Sequence, residues 1–146
     1  MARNLKIYSL RQITINFLNQ TIDSGYDDGD FCKIEANADD FELTMGTDGE
    51  GARSETGDRS AKFTVMLLQT SDGNAVFSAA NNLDRAANNG AGVGPFMIRD
   101  RQGTSMYMAD KTWVVGPPKS VTFGRKAQGR EWVLETHNLV RFDGGN

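Results

Sequence analysis

The sequence predicts a mainly β protein: an antiparallel β-sandwich or barrel with one flanking α-helix at about residues 72–89 and a long hairpin arm at residues 46–60. Most segments alternate apolar and polar residues with a period of two, as amphipathic strands do. One segment has the 3.6-residue period of a helix. The 16 glycines among 146 residues supply turns for many short strands. Eight or more strands with one helix favour this class, and the length fits a single domain, residues 1–146.

Three strands are predicted ahead of residue 41. A short first strand covers Ile7–Ser9, and a second covers Ile13–Leu18, where apolar residues alternate with Thr14 and Asn16. The third is Cys32–Ala36, with Cys32, Ile34 and Ala36 on one face. Each shows the alternation of a half-buried strand.

The arm is predicted to split a hairpin between two strands, Phe41–Met45 and Ala61–Leu67. The segment between them, Gly46–Ser60, holds little besides Ala52 that could enter a core. Long structureless excursions inside compact domains are usually functional or disordered. We therefore expect this arm to contact a neighbouring subunit. The candidate inter-subunit residues are Gly46, Asp48, Glu50, Arg53, Glu55, Asp58 and Arg59.

A single helix and several strands are predicted after the arm. Ser71 or Asp72 is the candidate N-cap and Asn89-Gly90 the stop. The apolar stripe of the helix consists of Val76, Phe77, Ala80, Leu83 and Ala87. The predicted strands that follow are Phe96–Arg99, Thr104–Met108, Lys111–Val115, Ser120–Phe123 and Arg130–Phe142. We expect Trp113 and Trp132 to pack in the core.

Charge is distributed unevenly along the chain. Residues 1–60 hold six Lys/Arg and twelve Asp/Glu, a net charge of −6, whereas residues 61–146 hold ten and seven, a net charge of +3. One interpretation is ordinary surface chemistry with acids gathered in loops. The other is a fold with one acidic and one basic end, which favours head-to-tail stacking. No run of Lys/Arg interleaved with aromatic residues indicates a DNA-gripping surface.

The sequence offers little for catalysis, cofactors or metals. His137 is the only histidine and Cys32 the only cysteine, so zinc ligands and nucleophile–base pairs are scarce. The acidic stretch Asp27–Asp30 lacks the spacing of a calcium loop. No apolar run reaches the roughly 20 residues of a membrane-spanning helix. We therefore predict no enzymatic activity, no cofactor, no metal site and no membrane insertion.

The order of these segments resembles that of the tail tube proteins of contractile-tail bacteriophages, which are related in fold to type VI secretion tube proteins. The resemblance covers the chain from about Leu10 onward. It rests on the hairpin with its arm, Leu67-Leu68-Gln69-Thr70-Ser71 leading into the helix, and Pro95–Asp100 followed by a turn at Gly103. Its most specific part is the closing segment, Glu131–Glu135 followed by Phe142–Asn146.

This resemblance implies a structural virion protein that assembles with itself into stacked hexameric rings. Such rings form the tail tube that delivers phage DNA without sequence-specific binding. The implied partners are other copies of the chain and the sheath, baseplate and tape-measure proteins; the implied location is the phage tail, with host cytoplasm during assembly. The alternatives are a type VI-like secretion tube or another tail-ring component, such as a terminator. A small-ligand-binding β-barrel is an alternative from a different class, and it would need a pocket with convergent polar groups.

The predicted split hairpin also indicates which residues would line a channel. If Phe41, Leu43 and Met45 face a core together with the apolar residues of Ala61–Leu67, the alternate residues face the other way. The lumen-facing candidates are Glu42, Thr44, Lys62 and Thr64. One acid and one base among threonines suit a channel that must not hold DNA through phosphate contacts.

Overall fold

A computed structural model describes residues 5–27 and 29–145. Asp28 of the acidic stretch and Asn146 of the closing segment lie outside the described residues. A 3-10 helix at Leu10–Gln12 comes first. The elements after it are β1 (Ile13–Phe17), β2 (Gln20–Ile22), β3 (Cys32–Ala36), β4 (Phe41–Met45), β5 (Gly51–Glu55), β6 (Ala61–Leu68), α1 (Gly73–Ala87), β7 (Gly94–Asp100), β8 (Met106–Gly116), β9 (Gly129–Thr136) and β10 (Val140–Phe142).

Eight of the ten strands form one antiparallel sheet. Seven lie in the order β2-β1-β7-β8-β9-β6-β3, and β10 pairs with the Met106–Met108 end of β8. The two remaining strands, β4 and β5, pair only with each other in the described residues. This arrangement confirms the predicted mainly β class with a single helix.

The large sheet curls around a core of aromatic side chains. Phe63 on β6 and Phe96 on β7 are separated by two strands in the sheet, yet their ring centroids lie 4.6 Å apart. Phe77 of α1 packs between Phe17 and Trp132, with centroid distances of 5.8 and 5.5 Å. Aromatic side chains therefore fill the concave side of the sheet, where a ligand-binding barrel would need a cavity.

The helix begins and ends near its predicted limits. Asp72 occupies the N-cap position, and the Ser71 hydroxyl accepts a hydrogen bond from the Gly73 N–H at 3.2 Å. At the other end Asn88 adopts the left-handed conformation, with φ of 53°. The predicted stripe is correct at Phe77, which is fully buried. It is wrong at Leu83, which is 51% exposed.

Several strand predictions differ from the structure. The two predicted strands 104–108 and 111–115 form the single long strand β8, because alternation continues through Ala109 and Asp110 without a turn residue. The predicted strand Ser120–Phe123 is an irregular loop, and Arg130–Phe142 divides into β9 and β10. Trp132 is buried as predicted. Trp113 lies only partly buried on the opposite face from Val114, so its core placement was wrong.

The predicted pairing of Phe41–Met45 with Ala61–Leu67 is also wrong. Strand β6 pairs with β3 on one side and β9 on the other, so no edge of β6 is left for β4. Strand β4 instead pairs with β5, which lies inside the segment predicted to be structureless. The projecting element is therefore the hairpin β4–β5, residues 41–55, rather than residues 46–60.

Candidate functional site

The β4–β5 hairpin is exposed along its whole length, since every residue in both strands is exposed. A tight turn at residues 46–50 closes it. The Gly46 N–H donates to the Glu50 carbonyl at 2.7 Å, and the Gly49 N–H donates to the Gly46 carbonyl at 3.1 Å. Gly49 has φ of +92°, a conformation that L-residues with side chains rarely adopt. The turn thus holds two short strands together without help from the large sheet.

One face of the hairpin is apolar. Phe41, Leu43 and Met45 are 48%, 67% and 59% exposed. The Arg53 guanidinium lies 3.6 Å from the centroid of the Phe41 ring, a cation–π contact that shields part of it. A two-stranded hairpin on its own is marginally stable in water. Contact with another surface would therefore both cover these side chains and stabilise the hairpin.

The arm candidates lie in three places. Gly46, Asp48 and Glu50 form the turn at the tip of the hairpin, where the Asp48 carboxylate accepts from the Glu50 N–H at 3.1 Å. Arg53 and Glu55 lie on β5. The last two, Asp58 and Arg59, lie at the base instead.

The base of the hairpin is fixed to the large sheet by hydrogen bonds. The hydroxyl and N–H of Ser60 both donate to Asp58, which holds the pKa of that carboxyl below its usual value. The Leu139 N–H donates to the Arg59 carbonyl at 2.9 Å. Asp58 and Arg59 therefore lie at the base of the hairpin, away from its tip, and their contact with a neighbouring subunit remains a prediction.

The four lumen candidates do not share one face. Lys62 and Thr64 lie on the convex side of β6, in an open cleft of about 910 Å³ that the loop around Pro117 overhangs. Glu42 and Thr44 lie on β4, in the separate hairpin. The reason is the corrected pairing, since β4 and β6 are not neighbours. Exposure of any of the four to a channel remains a prediction.

A second exposed surface was missed in the sequence. The loop between β8 and β9, residues 117–128, projects Val121 and Phe123, which are 48% and 78% exposed. The Arg130 guanidinium lies 6.0 Å from the Phe123 ring centroid. The signal for this loop was visible, because residues 117–130 carry four basic residues and no acid. Its alternation at Val121 and Phe123 pointed instead to a strand.

The C-terminal strand is secured by a polar cluster. Arg141 donates to both carboxylate oxygens of Asp143 at 2.8 Å, and the Tyr107 hydroxyl donates to the same carboxylate at 2.5 Å. The Arg141 hydrogen bonds, followed by the Tyr107 bond, lower the pKa of Asp143 to about 2. The bond to Asp143 is also the main cause that raises the pKa of Tyr107. This cluster connects β8 to the chain end.

The described residues contain no arrangement typical of catalysis. His137 is exposed on the segment after β9. Cys32 is a free thiol, and burial raises its pKa to about 12, which opposes formation of a nucleophilic thiolate. Within residues 5–27 and 29–145, no three His, Cys, Asp or Glu side chains come together as metal ligands. Over the same residues, no helix is both long enough and apolar enough to cross a membrane.

Comparison with known proteins gives one sequence relative and a set of similar structures. The chain is 28% identical to a structural protein, ORF10, of Pseudomonas phage KPP10, over 100% of this chain and 87% of the relative. No protein-family model matches.

Two of the similar structures are a tube terminating cap and a sheath/tube terminator. The cap that terminates the tube of the anti-feeding prophage aligns over 97% of this chain and 94% of its own, with a TM-score of 0.59 and 9% identity. The sheath/tube terminator of PVC, an extracellular contractile injection system, aligns over 97% and 100%, with a TM-score of 0.60 and 10% identity. The chain shares their fold. These proteins are structural components, in agreement with the prediction of a non-enzymatic protein.

Proposed function

We propose that this protein is a structural component of a phage tail that forms the ring terminating the tail tube. The observation that carries the proposal is the likeness to two tube terminators along almost the full length of each chain. The phage structural protein similar over the whole chain supports a location in the virion. The proposed role is therefore a terminator ring, which was an alternative from the sequence, and not the tube itself.

The geometry agrees with self-assembly into a ring. Strands β2 and β3 end the large sheet, and their outer edges have no strand partner among the described residues. Open edges promote pairing with another chain. The apolar face of the hairpin offers a second contact. A closed ring of heterologous contacts uses both kinds of surface without leaving either free within the ring.

Within this proposal, the hairpin tip is the inter-subunit arm. Asp48 and Glu50 lie at the tip, Arg53 lies against Phe41 on the apolar face, and Asp58 and Arg59 lie at the base. Lys62 and Thr64 are the lumen candidates that share one face, the convex side of β6. The further partners are the tube, the sheath, the baseplate and the tape-measure proteins, and phage DNA passes through the ring without sequence-specific contacts.

Labelling of tails by position tests the function directly. An epitope tag in the exposed turn would disturb the arm, so the tag belongs in the exposed segment that follows α1, at residues 89–91. Gold-labelled antibody against tagged particles should mark one end of each tail. Protein quantification should give one ring of copies per tail. Labels or copy numbers proportional to tail length would instead identify the tube protein, and an unlabelled tail would contradict both assignments.

A tail tube subunit is the second candidate. The pair of open sheet edges, β2 and β3, is compatible with it as well, because pairing at these edges would close a ring of tube subunits in the same way. The two functions differ in stacking. A tube subunit adds ring on ring without limit, whereas a terminator ring has one face that accepts no further copy. Negative-stain images of the purified protein should therefore show single rings for a terminator and long tubes for a tube subunit.

A further inference from the structure

The net charge of the chain comes mainly from two projecting segments, one acidic and one basic. Residues 37–58, which contain the hairpin, carry seven acidic residues and Arg53 alone as a base, a net charge of −6. Residues 117–130 carry four basic residues and no acid, a net charge of +4. The rest of the chain has a net charge of only −1, given the total of −3. The acidic and basic character noted along the sequence therefore belongs to these two surfaces.

Both segments combine their charge with exposed apolar side chains. The hairpin presents Phe41, Leu43 and Met45, and the loop presents Val121 and Phe123, all between 48% and 78% exposed. Neither set covers the other within one chain, since each remains exposed. Opposite charge around apolar side chains is the composition of complementary surfaces, in which charge guides encounter and apolar contact supplies affinity.

The base of the hairpin and the C-terminal part of the loop lie at opposite ends of β9, whereas the loop leaves β8 midway, at Gly116, which pairs with Val133. The base of the hairpin lies beside Ala61, which pairs with Thr136 at the end of β9. The loop enters β9 at Gly129, which pairs with Leu68. These two levels are seven residues apart along β9, or about 23 Å at ~3.3 Å per residue. An acidic projection at one end and a basic projection at the other suit a head-to-tail contact between copies.

We propose that the β4–β5 hairpin of one copy docks on the loop between β8 and β9, residues 117–128, of a second copy. Phe41, Leu43 and Met45 pack against Val121 and Phe123, and the acidic tip at Asp48 and Glu50 faces Arg125 and Lys126. The contact is heterologous, because each copy gives its hairpin to one neighbour and its loop to another. This inference rests on the proposed self-assembly and specifies the surfaces that perform it.

Charge reversal in each segment tests the contact. The hairpin variant D48K/E50K and the loop variant R125E/K126E each place like charges in the contact, which should weaken self-association at least ~10-fold. All four substituted residues lie in exposed turns or loops, so both variants should fold as the wild type does, as measured by circular dichroism. The matched control R99E/K111E changes two exposed bases elsewhere on the sheet and should associate as the wild type does. Sedimentation velocity gives the three affinities.

Mixing the two variants is the decisive measurement. The reversed hairpin, with two lysines, complements the reversed loop, with two glutamates, while the unchanged hairpin and unchanged loop still match. An equimolar mixture should therefore recover assembly by alternating the two variants, although each variant alone stays dissociated. Salt at about 0.5 M should weaken the wild-type contact relative to about 0.05 M, because exposed charges are screened.

Three results would overturn the docking. They are normal assembly of either variant alone, loss of assembly in the R99E/K111E control to the same degree, and failure of the mixture to recover. A wild-type chain that stays monomeric also overturns it, since the contact joins two copies. The end-labelling of tails does not depend on any of these four results, so it tests the proposed function separately from the docking.

Discussion

Two residues on different sides of α1 give the sharpest stability test of the fold. Phe77 is fully buried between Phe17 and Trp132, whereas Leu83, six residues later on the same helix, is 51% exposed. Replacing a buried Phe with Ala removes a ring and leaves a cavity, at a cost of about 3–5 kcal/mol. Phe77→Ala should therefore lower the unfolding free energy by that amount.

The expected shift in melting temperature follows from chain length. A loss of 1 kcal/mol lowers Tm by about 2–4 °C in a protein of this size, so Phe77→Ala should lower Tm by roughly 6–20 °C. Leu83→Ala is the matched control. It removes a half-exposed side chain and gains slightly in helix propensity, so its effect should stay below about 1 kcal/mol.

Urea unfolding followed by circular dichroism, with thermal melts, measures both variants under the same conditions. Equal losses from Phe77→Ala and Leu83→Ala would refute the placement of the helix, because they would require Leu83 to be as buried as Phe77. A large effect of Leu83→Ala on assembly with a normal melt would instead show that another subunit covers this side of the helix.

Three further predictions follow from named contacts. Asn74→Ala should destabilise the fold by about 1–3 kcal/mol in urea unfolding, because it leaves the buried Trp132 indole N–H without its 2.8 Å acceptor. An unchanged urea midpoint would show that this hydrogen bond does not contribute to stability. Since the pKa of Asp143 is depressed to about 2, its contact with Arg141 should be fully present above about pH 4 and lost as the pH falls toward 2. NMR titration of Asp143 should show that pKa, and Arg141→Ala should raise it; the same titration curve in both proteins would contradict the assignment. Cys32, with a thiol pKa of about 12, should react with maleimide at pH 7 far more slowly in the native protein than in urea; equal rates would show that the thiol is accessible.

Replacement of the hairpin tests its role in self-association. Exchanging residues 41–55 for a short glycine-serine turn removes no core residue, so the melt should stay close to that of the wild type while self-association is lost. The substitution Met97→Ala, on the outer face of β7, is a control for nonspecific loss of apolar surface. Normal rings from the shortened protein would show that the hairpin is not required for assembly.

Sequence patterns predicted the elements that depend mainly on residues close together in the chain. The helix at 73–87 followed from its apolar period and its polar N-terminal residues, and Phe63, Val65 and Trp132 were placed in the core by alternation. The residues of β8 show the limit of such patterns. Whether a chain turns or continues between two alternating segments depends on neighbouring strands that lie far away in sequence.

The hairpin was mispredicted for a related reason. Alternation shows that one face of Phe41–Met45 is apolar, but it does not show what covers that face. A core and a neighbouring subunit demand the same pattern. The partner strand Gly51–Glu55 has no apolar alternation at all, so nothing in its composition marked it as a strand. For the same reason, the alternation at Val121 and Phe123 predicted a strand of the core sheet, where the structure has an exposed loop.

The self-contained pairing of the hairpin also has a consequence during protein synthesis. Strands β4 and β5 are joined by five residues, so they can pair within about 1–10 μs of emergence. The large sheet must await β9, whose Trp132 pairs with Val65. At ~5–20 residues per second, translation from Glu55 to Thr136 takes roughly 4–16 s. Nascent chains on one message thus display hairpins with exposed apolar faces well before their bodies exist. The strong negative charge around each hairpin makes these unfinished chains repel one another, and association waits for the positive loop, which is among the last parts of the chain to be made.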